Sequence, residues 1–450
     1  MKTINNTIVA IATAHGIGSV AIVRISGKKA YEIGLKITKK EYLIPRFAML
    51  CYLQDKYNEV IDEAIVIYFK SPNSFTGEDI IEFQCHGGTA VADLVMNEVI
   101  SLGARVAEPG EYSKRAFLNG KIDLTKAEAI AKLIETKNID AVKILSKQLK
   151  GDLKKFIDDL RNDLVEILAY AEVNIDYAEE DLPTDIMDSI IARLINISKI
   201  ITNLIESSLR KEGLINGFNI SIIGKPNVGK SSLLNKLLNC NRAIISDIAG
   251  TTRDTIEEDI RIGTHLVRII DTAGVRESKD QIEQIGVQKS IESIENSDIV
   301  LMIFDNSQNC TQEDEKIIDF IDKYSKNKKI FVFLNKNDLK NKFDMSKIAK
   351  YNPIEISAKK DVDIVIDTIK KYLDTQNINE SLILTSKRQI TEINAALCAI
   401  QRAYIPLENG ELELFAYEIN DAIMHIASIT TEFERDEILD KMFGSFCLGK

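Results

Sequence analysis

One short segment limits the fold of this 450-residue chain more than any other. Residues Gly224–Ser231 have the sequence GKPNVGKS, which matches G-x-x-x-x-G-K-[ST], and they lie between the strand-type run Phe218–Ile223 and the helical run Ser232–Leu238. In such a loop the backbone N–H groups curl around phosphate, Lys230 neutralises the β- and γ-phosphates, and the Ser231 hydroxyl ligates Mg²⁺. The segment therefore predicts a phosphate-binding P-loop in an α/β domain.

Three strand-type runs later in the chain each end in a polar motif. They are Leu266–Ile270, followed by DTAG, Ile330–Leu334, followed by NKND, and Ile354–Ile356, followed by SAK. Open α/β sheets bind ligands at the carboxyl ends of their strands, so these motifs are expected at one edge of one sheet. The Asp338 carboxylate can accept hydrogen bonds from the N1–H and the exocyclic amine of guanine, a pattern that adenine lacks. The motifs together predict a GTP-binding site.

The residue after the DTAG glycine excludes one common mechanism of GTP hydrolysis. In small regulatory GTPases this residue is a glutamine that orients the attacking water, whereas here it is Val275, which cannot do so. Another group is therefore required. Glu283 is one of several carboxylates in an acidic stretch with Glu277 and Asp280, and on the residues alone a solvated surface is the commoner explanation.

The combination of motifs is similar to one family of GTPases. Gly224–Ser232 and Asp247–Asp254, DIAGTTRD, resemble the translation-factor-related GTPases that hydrolyse GTP without a catalytic glutamine. The N-terminal Ser71–Asp79 with HGG at 86–88, and the C-terminal Phe446–Lys450, resemble the MnmE (TrmE) family of tRNA modification GTPases. The likeness covers the whole chain.

The resemblance implies K⁺-stimulated GTP hydrolysis in which the GTPase domains of two subunits meet across their nucleotides. Asn227 matches the side-chain ligand of K⁺, and a cation there would neutralise charge that develops between the β- and γ-phosphates. The matching loop for the backbone ligands of K⁺ is Ser246–Thr251, with Ser246, Ile248 and Thr251 as its expected ligands.

The resemblance also assigns the remaining roles at the GTP site. Ser231 and Thr252 would ligate Mg²⁺, and Glu283 would be the catalytic residue that orients or activates water. Without the resemblance Asn227 would be an ordinary loop residue. The residues expected to bind GTP are Asn227, Val228, Gly229, Lys230, Ser231, Ser232, Ser246, Asp247, Ile248, Ala249, Gly250, Thr251, Thr252, Asp271, Thr272, Ala273, Gly274, Asn335, Lys336, Asp338, Ser357, Ala358 and Lys359.

A folate site is the second implication of the resemblance. In this family 5-formyltetrahydrofolate binds at the interface of a dimerising N-terminal domain, and cationic side chains suit its glutamate tail while a carboxylate suits the pterin N–H donors. The matching residues are Arg24, Glu82, Lys121 and Lys450, with Cys447 as a residue needed for the modification. On the residues alone, Arg24 and Lys121 are surface charges and Glu82 is an edge-strand carboxylate. Cys447 is then a small apolar residue.

The resemblance also implies a protein partner and an RNA substrate. The family works with a flavoprotein, MnmG, to place an aminomethyl-type or carboxymethylaminomethyl group on carbon 5 of the wobble uridine of certain tRNAs, using a folate one-carbon unit. FAD would belong to the partner, because the P-loop is the only convincing glycine-rich loop in this sequence. Two rivals stay open: a GTP-gated binding switch such as a ribosome-assembly GTPase, and a folate-dependent transferase that GTP merely regulates.

The length of the chain and the distribution of strand-type and helical segments along it predict a multidomain α+β and α/β architecture. We expect an N-terminal folate-binding and dimerisation domain at 1–118, a helical domain in two parts at 119–215 and 376–450, and an inserted GTPase domain at 216–375. In the first helical part an apolar stripe predicts one long helix. Its members are Val142, Leu145, Leu149, Phe156, Leu160, Leu164 and Ile167.

Charge limits how the chain can hold nucleic acid. Of the net charge of −11, almost all lies in the two helical parts, which contain 20 basic and 30 acidic side chains. Because nucleic acids bind mainly through Lys and Arg, tRNA binding is expected to depend on the dimer and the flavoprotein partner.

The cysteines and the hydropathy indicate the compartment. The six cysteines are scattered without a C-x-x-C pair, which argues against a zinc site and a disulfide scaffold. Nowhere do about 18 uncharged apolar residues run together, so no membrane span is expected. A cytoplasmic location is the prediction.

Overall fold

The computed structural model describes residues 6–14, 16–136, 138–176, 185–210, 212–241, 257–270, 294, 296–324, 328–376, 382–431, 442–444, 446 and 449. The chain forms two compact units. The first comprises residues 1–134, 148–198 and 386–450, and the second comprises 135–147 and 199–385. Each unit therefore combines segments that lie far apart in the sequence.

A mixed sheet and two helices form the N-terminal part of the first unit. The elements are β1 (Ile8–Ile11), β2 (Val20–Ser26), α1 (Ala30–Thr38), β3 (Met49–Gln54), β4 (Val60–Phe69), β5 (Ile80–His86), α2 (Thr89–Ser101) and β6 (Arg105–Val106). The strand order is β3-β4-β5-β2-β1-β6, in which β1 and β6 are parallel and the other pairs antiparallel. Alternate side chains such as Val23, Ile25 and Phe83 are buried in one core with α1 and α2.

Helices follow this sheet along the chain. They are α3 (Glu111–Leu118), α4 (Leu124–Glu135), α5 (Ile139–Lys150), α6 (Asp152–Asp176) and α7 (Asp185–Arg210). The prediction of one long helix through the apolar stripe was wrong, because α5 ends before Gly151, whose φ of +95° is a left-handed conformation. Leu160, Leu164 and Ile167 are buried on α6 as expected, whereas Val142 is exposed.

A second sheet organises the second unit. The elements are α8 (Glu212–Asn216), β7 (Phe218–Ile223), α9 (Lys230–Asn241), β8 (Glu257–Ile262), β9 (His265–Ile270), β10 (Ile299–Asp305), α10 (Gln312–Tyr324), β11 (Lys329–Asn335), β12 (Ile354–Glu355) and α11 (Val362–Gln376). Its order is β12-β11-β10-β7-β9-β8, and every neighbouring pair is parallel except the β8–β9 hairpin. The P-loop therefore begins at the carboxyl end of a central strand, where ligands of such sheets bind.

Two C-terminal helices return the chain to the first unit. They are α12 (Lys387–Glu408) and α13 (Leu412–Thr430), which pack against each other, and α13 packs against α6. The buried Glu128 carboxylate on α4 accepts hydrogen bonds from Ser386 Oγ at 3.0 Å and Arg388 Nε at 2.9 Å. The expected mixture of an α+β part, an α/β part and helices contributed by distant segments is confirmed. No helix in the described residues is long and apolar enough to cross a membrane.

Candidate nucleotide-binding site

Two glycines of the P-loop allow a close approach of neighbouring groups. A Cβ on Gly224 would lie 2.4 Å from the carbonyl oxygen of Ile303, and a Cβ on Gly229 would lie 2.1 Å from Nδ2 of Asn335. Gly229 also has a φ of +105°, which favours glycine. The loop could not take this shape with larger residues, so both glycines of the motif have a structural reason.

Asn335 joins three loops that the sequence predicted to act together. Its buried side chain donates from Nδ2 to the Val228 carbonyl at 2.7 Å and accepts at Oδ1 from the Ala358 N–H at 2.8 Å. The P-loop, the NKND segment and the SAK segment are therefore linked by one amide. Because both ends of the amide are used, Asp would not replace it without leaving a carbonyl unpaired.

Lys230 lies at the start of α9 and points back over the loop. Its Nζ donates to the carbonyl oxygens of Gly224 at 2.6 Å and Lys225 at 2.9 Å. These are neutral acceptors, and a phosphate oxygen would be a stronger partner for an ammonium group. Lys230 is therefore placed so that its Nζ can exchange these two main-chain acceptors for phosphate oxygens of a nucleotide.

A cavity of about 420 Å³ lies above the carboxyl ends of these strands. It is lined by Asn227, Gly229, Lys230, Ser231, Ser232, Asn335, Lys336, Asp338, Leu339, Ser357, Ala358 and Lys359. The structure thus brings together the phosphate-binding loop and the two predicted base-binding motifs. Val228 is buried beneath them. The predicted residues Ser246–Thr252, Asp271–Gly274 and Glu283 lie outside the described residues.

The site also uses residues that the motifs did not indicate. Asp361 accepts the Ser357 N–H at 2.8 Å and so holds the SAK segment. Asp305, at the end of β10, accepts a hydrogen bond from Lys336 Nζ at 2.6 Å. A carboxylate at the end of a buried strand is a signal in the sequence. No local pattern predicts that its partner is Lys336, which follows the neighbouring strand β11.

Two of the predicted folate residues form a pair in the first unit. Arg24 on β2 and Glu82 on β5 are direct cross-strand neighbours, and Arg24 Nε lies 2.8 Å from Glu82 Oε1. The Arg24 guanidinium also lies over the ring of Tyr112, 5.7 Å from its centroid. Both charged groups are therefore part of the sheet surface and do not behave as separate solvated charges.

The other predicted folate residues are less fully described. The side chain of Lys121 packs over Gly77, since a Cβ there would lie 3.0 Å from Lys121 Cε. Cys447 and Lys450 lie outside the described residues. Between them, Gly449 packs so closely on β1 that a Cβ would lie 2.5 Å from the Ile11 carbonyl oxygen. Gly449 thus lies against the strand that pairs with β2.

A second cavity of about 390 Å³ lies in the first unit. Residues between 11 and 21 and between 87 and 93 line it, which includes Gly87 and Gly88 of the HGG motif. Gly87 is required because a Cβ there would lie 2.2 Å from the Gly18 carbonyl oxygen. Arg24, Glu82 and Lys121 are not among the described residues that line this cavity.

The fold and the site define the class of this protein. A largely parallel sheet, a P-loop at its central strand and a cavity lined by both Lys230 and Asp338 are the features of a P-loop GTP-binding protein. Two family models agree, since "GTP-binding protein TrmE N-terminus" matches residues 7–121 and "MnmE helical domain" matches residues 124–447.

Relatives identify the family more closely. The chain is 56% identical over 446 residues to the tRNA modification GTPase MnmE of Aliarcobacter butzleri, with 99% of both chains covered. It is 54% identical over 449 residues to the protein of the same name from a Sulfurovum species, with both chains covered completely. The chain belongs to the MnmE (TrmE) family of tRNA modification GTPases.

A solved structure is similar over part of the chain. It is the structure of Aquifex aeolicus Era bound to GDP·AlF4⁻. The two sequences are 27% identical, the match covers 40% of this chain and 66% of the Era chain, and the TM-score is 0.26.

The MnmE family implies that the site binds a nucleotide and Mg²⁺. Ser231, whose hydroxyl is a hard oxygen donor in the cavity wall, is the described residue that fits this ion.

Proposed function

We propose that this chain hydrolyses GTP with stimulation by K⁺ and, together with the flavoprotein MnmG, modifies carbon 5 of the wobble uridine of certain tRNAs. The observation that carries the proposal is the cavity that joins Lys230 and Ser231 to Asp338. Its two ends have the chemistry for the triphosphate and for guanine. A likeness of 56% along the full length of a tRNA modification GTPase supports the rest.

The cation chemistry follows from the cavity wall. Ser231 would hold Mg²⁺, which neutralises charge on the β- and γ-phosphates when it is bound. Asn227 has a φ of +63° and lines the same cavity. Its amide oxygen is a suitable donor for K⁺, and a monovalent cation at the β–γ bridge would stabilise the charge that develops there.

The water-activating group is proposed from the sequence. Val275 has no polar atom with which to orient water, and Glu283 occupies the position of the family's catalytic glutamate. The segment Ser246–Thr251 would supply further K⁺ ligands, and Thr252 a second Mg²⁺ ligand. Three domains remain our proposal for the organisation around this site: an N-terminal domain at 1–118, a helical domain in two parts at 119–215 and 376–450, and a GTPase domain at 216–375.

An exposed apolar face supports a homodimer. Leu50 and Tyr52 project from the same side of β3, and Ile65 is the cross-strand neighbour of Leu50 on β4. Their exposed fractions are 63%, 56% and 40%. A contiguous apolar face of this kind is typical of an interaction surface, and we propose that a second copy of the chain covers it.

The folate assignment rests on Arg24, Glu82, Lys121 and Lys450. The ion pair between Arg24 and Glu82 would present a cation and a carboxylate together, and these suit the two ends of a folate. Gly449 lies against Ile11, whose neighbour Ala10 pairs with Arg24. This approach supports a site to which the tail brings Lys450 and Cys447.

The partner supplies what the chain lacks in our proposal. FAD would be bound by MnmG, and tRNA would bind to the assembled complex. The net charge of −11 supports this division, because an acidic chain gains little from the counterions that a nucleic acid releases.

GTP turnover in KCl and NaCl tests the hydrolysis. We expect K⁺ to raise the rate for the wild type, and Glu283→Ala to lose most of the activity in either salt. Glu277→Ala is a matched control, since it removes a carboxylate from the same acidic stretch, and it should retain the rate. Equal rates in both salts, or an unaffected Glu283→Ala variant, would contradict the mechanism.

Mass spectrometry of wobble uridines tests the cellular role. Deletion of the gene should remove the modified base, and the wild-type gene should restore it. Cys447→Ser should fail to restore it, whereas Cys398→Ser, an exposed cysteine on α12, should succeed. Unchanged tRNA in the deletion strain would favour a GTP-gated binding switch.

A further inference from the structure

The segment Asp305–Asp314 runs from the last residue of β10 into the first turn of α10 and belongs to none of the nucleotide-binding motifs. It begins and ends with a buried carboxylate, since Asp305 is 2% exposed and Asp314 is 0% exposed. Buried carboxylates are stable in folded proteins only when cations or hydrogen-bond donors compensate them. The cations that compensate these two carboxylates come from both nucleotide-binding loops.

Asp305 holds the lysine of the NKND segment. Its Oδ2 accepts from Lys336 Nζ at 2.6 Å, and its Oδ1 accepts from the N–H of Ser307 at 2.9 Å and its hydroxyl at 2.6 Å. Burial alone would raise the pKa of Asp305, but these hydrogen bonds hold the pKa below its usual value. The carboxylate is therefore charged and fully engaged.

Asn306 continues the contact along the same loop. Its N–H donates to the Asn335 carbonyl at 2.8 Å, and its carbonyl accepts the N–H of Lys342 at 2.9 Å. Its Nδ2 lies 3.4 Å from Oδ1 of Asn337. The segment thus follows the backbone of the base-binding loop on both sides of Asp338.

Asp314 holds the P-loop. Its Oδ2 accepts from Lys225 Nζ at 2.8 Å and from the N–H and hydroxyl of Thr311 at 2.9 Å and 2.7 Å. Thr311 directly precedes α10, so the carboxylate also fixes the residue at the start of that helix. Lys225 follows the first glycine of the P-loop, and its carbonyl is one of the two that accept Lys230 Nζ.

We propose that residues 305–314 are a positioning segment that sets the P-loop and the base-binding loop at a fixed separation, with Asp305 and Asp314 as its positioning residues for a guanine nucleotide. The inference rests on the proposed GTP binding and adds residues to that site. Neither aspartate lines the cavity among the described residues, so each would act through its lysine.

The physical reason is the cost of an unpaired buried charge. Asp314 Oδ1 has no hydrogen-bond partner among the described residues, so the compensation of this carboxylate depends on Oδ2. If Lys225 moved away with the P-loop, a buried carboxylate would lose its cation, which is strongly unfavourable. The same holds for Lys336 and Asp305. The two loops are thereby prevented from drifting apart when the site is empty.

Calorimetric titration of the full chain with GDP and IDP distinguishes effects on the P-loop from effects on the base-binding loop. IDP has the same phosphates as GDP but lacks the exocyclic amine that would donate a hydrogen bond to Asp338. Asp314→Asn should weaken GDP and IDP about equally, by roughly tenfold or more, because it disturbs the phosphate loop. Asp305→Asn should weaken GDP more than IDP and so reduce the ratio of their affinities.

The control and a second variant keep the test decisive. Glu315→Gln removes an exposed carboxylate from the same turn of α10 and should bind both nucleotides as the wild type does. If Asp314→Asn does not fold, Lys225→Met with Asp314→Leu removes both charges without leaving one unpaired, and it should fold and bind both nucleotides weakly.

Two results would overturn the inference in different ways. Folded Asp305 and Asp314 variants with wild-type affinity for GDP and IDP would show that the segment does not position the loops, while the proposed function would stand. A wild-type chain that binds neither nucleotide would overturn the proposed function, and the inference would fail with it.

Discussion

The first unit and the second unit, which contains the nucleotide-binding site, both bury carboxylates, but the cations that pair with these carboxylates differ. In the first unit Arg115 is 1% exposed and donates to Glu78 at 2.9 Å and to Glu111 at 2.9 Å. Arg105 donates to the same Glu111 carboxylate through two nitrogens, at 2.6 and 2.8 Å. In the second unit the buried carboxylates pair with lysines through single Nζ atoms.

The difference suits what each region does. The planar guanidinium of arginine binds carboxylates through several hydrogen bonds in fixed directions, whereas the ammonium of lysine is a point charge on a flexible stem. The arginine network is therefore a rigid support for α3, whose Tyr112 hydroxyl donates to the Arg24 carbonyl at 2.7 Å. Lys225 and Lys336 hold loops, and Lys230 rests on neutral carbonyls that a phosphate can replace.

The largest expected effect comes from breaking the arginine network. Arg115→Met would leave Glu78 and Glu111 short of a buried cation and should destabilise the first unit by about 3–5 kcal/mol. Hydrogen exchange of peptides from β5 and α3 in the full chain would measure this loss. The exposed Arg402 pairs with Glu418 and Asp421, and Arg402→Met should change exchange little. Equal protection in both variants would contradict the comparison.

The next effect concerns Lys230, whose Nζ donates to the carbonyl oxygens of Gly224 and Lys225. Lys230→Met should lower GTP turnover on the order of 10²–10³-fold, because a cation for the developing phosphate charge is lost. The stability of the chain without nucleotide should change much less. Lys236→Met, an exposed lysine on the same helix, is the control for turnover. A large loss of stability in Lys230→Met would mean that the lysine is structural.

Asp338→Asn tests the base end of the cavity. Asparagine cannot accept both guanine donors, so GDP affinity should fall by roughly 10–100-fold. Its amide N–H can instead donate to the carbonyl at carbon 2 of xanthine, so XDP should bind better than to the wild type. Calorimetry with both nucleotides measures the exchange of preference. The exposed Asp344→Asn is the matched control, and an unchanged preference in Asp338→Asn would argue against the guanine assignment.

The smallest effect is expected from acid. A carboxyl whose pKa is lowered by folding, as for Asp305, contributes stability above its unfolded-state pKa near 4, and this is lost as the pH falls through the folded-state pKa. The free energy of unfolding of the wild type should therefore fall more steeply below about pH 4 than that of Asp305→Asn, as measured by denaturant titration at each pH. Asp319→Asn on α10 should follow the wild type, and parallel curves for all three would contradict the role of Asp305.

Much of the fold could be predicted from local patterns. The strand-type runs Phe218–Ile223, Leu266–Ile270 and Ile330–Leu334 are found in β7, β9 and β11, and the helical run Ser232–Leu238 lies within α9. These predictions succeed because short apolar runs and helical spacing reflect how each element is buried. The stripe through Val142 and Ile167 failed as one helix because its spacing continues across Gly151, where the backbone turns.

Within the site, the sequence by itself determined the P-loop, the NKND and SAK motifs and the family, because contiguous residues carry this chemistry. Tertiary structure alone decided that Arg24 pairs with Glu82 and that Asp305 and Asp314 hold lysines of two different loops. Such pairs join strands and loops that are distant in the chain. Their energy depends on burial and register, which appear only when the sheets have formed.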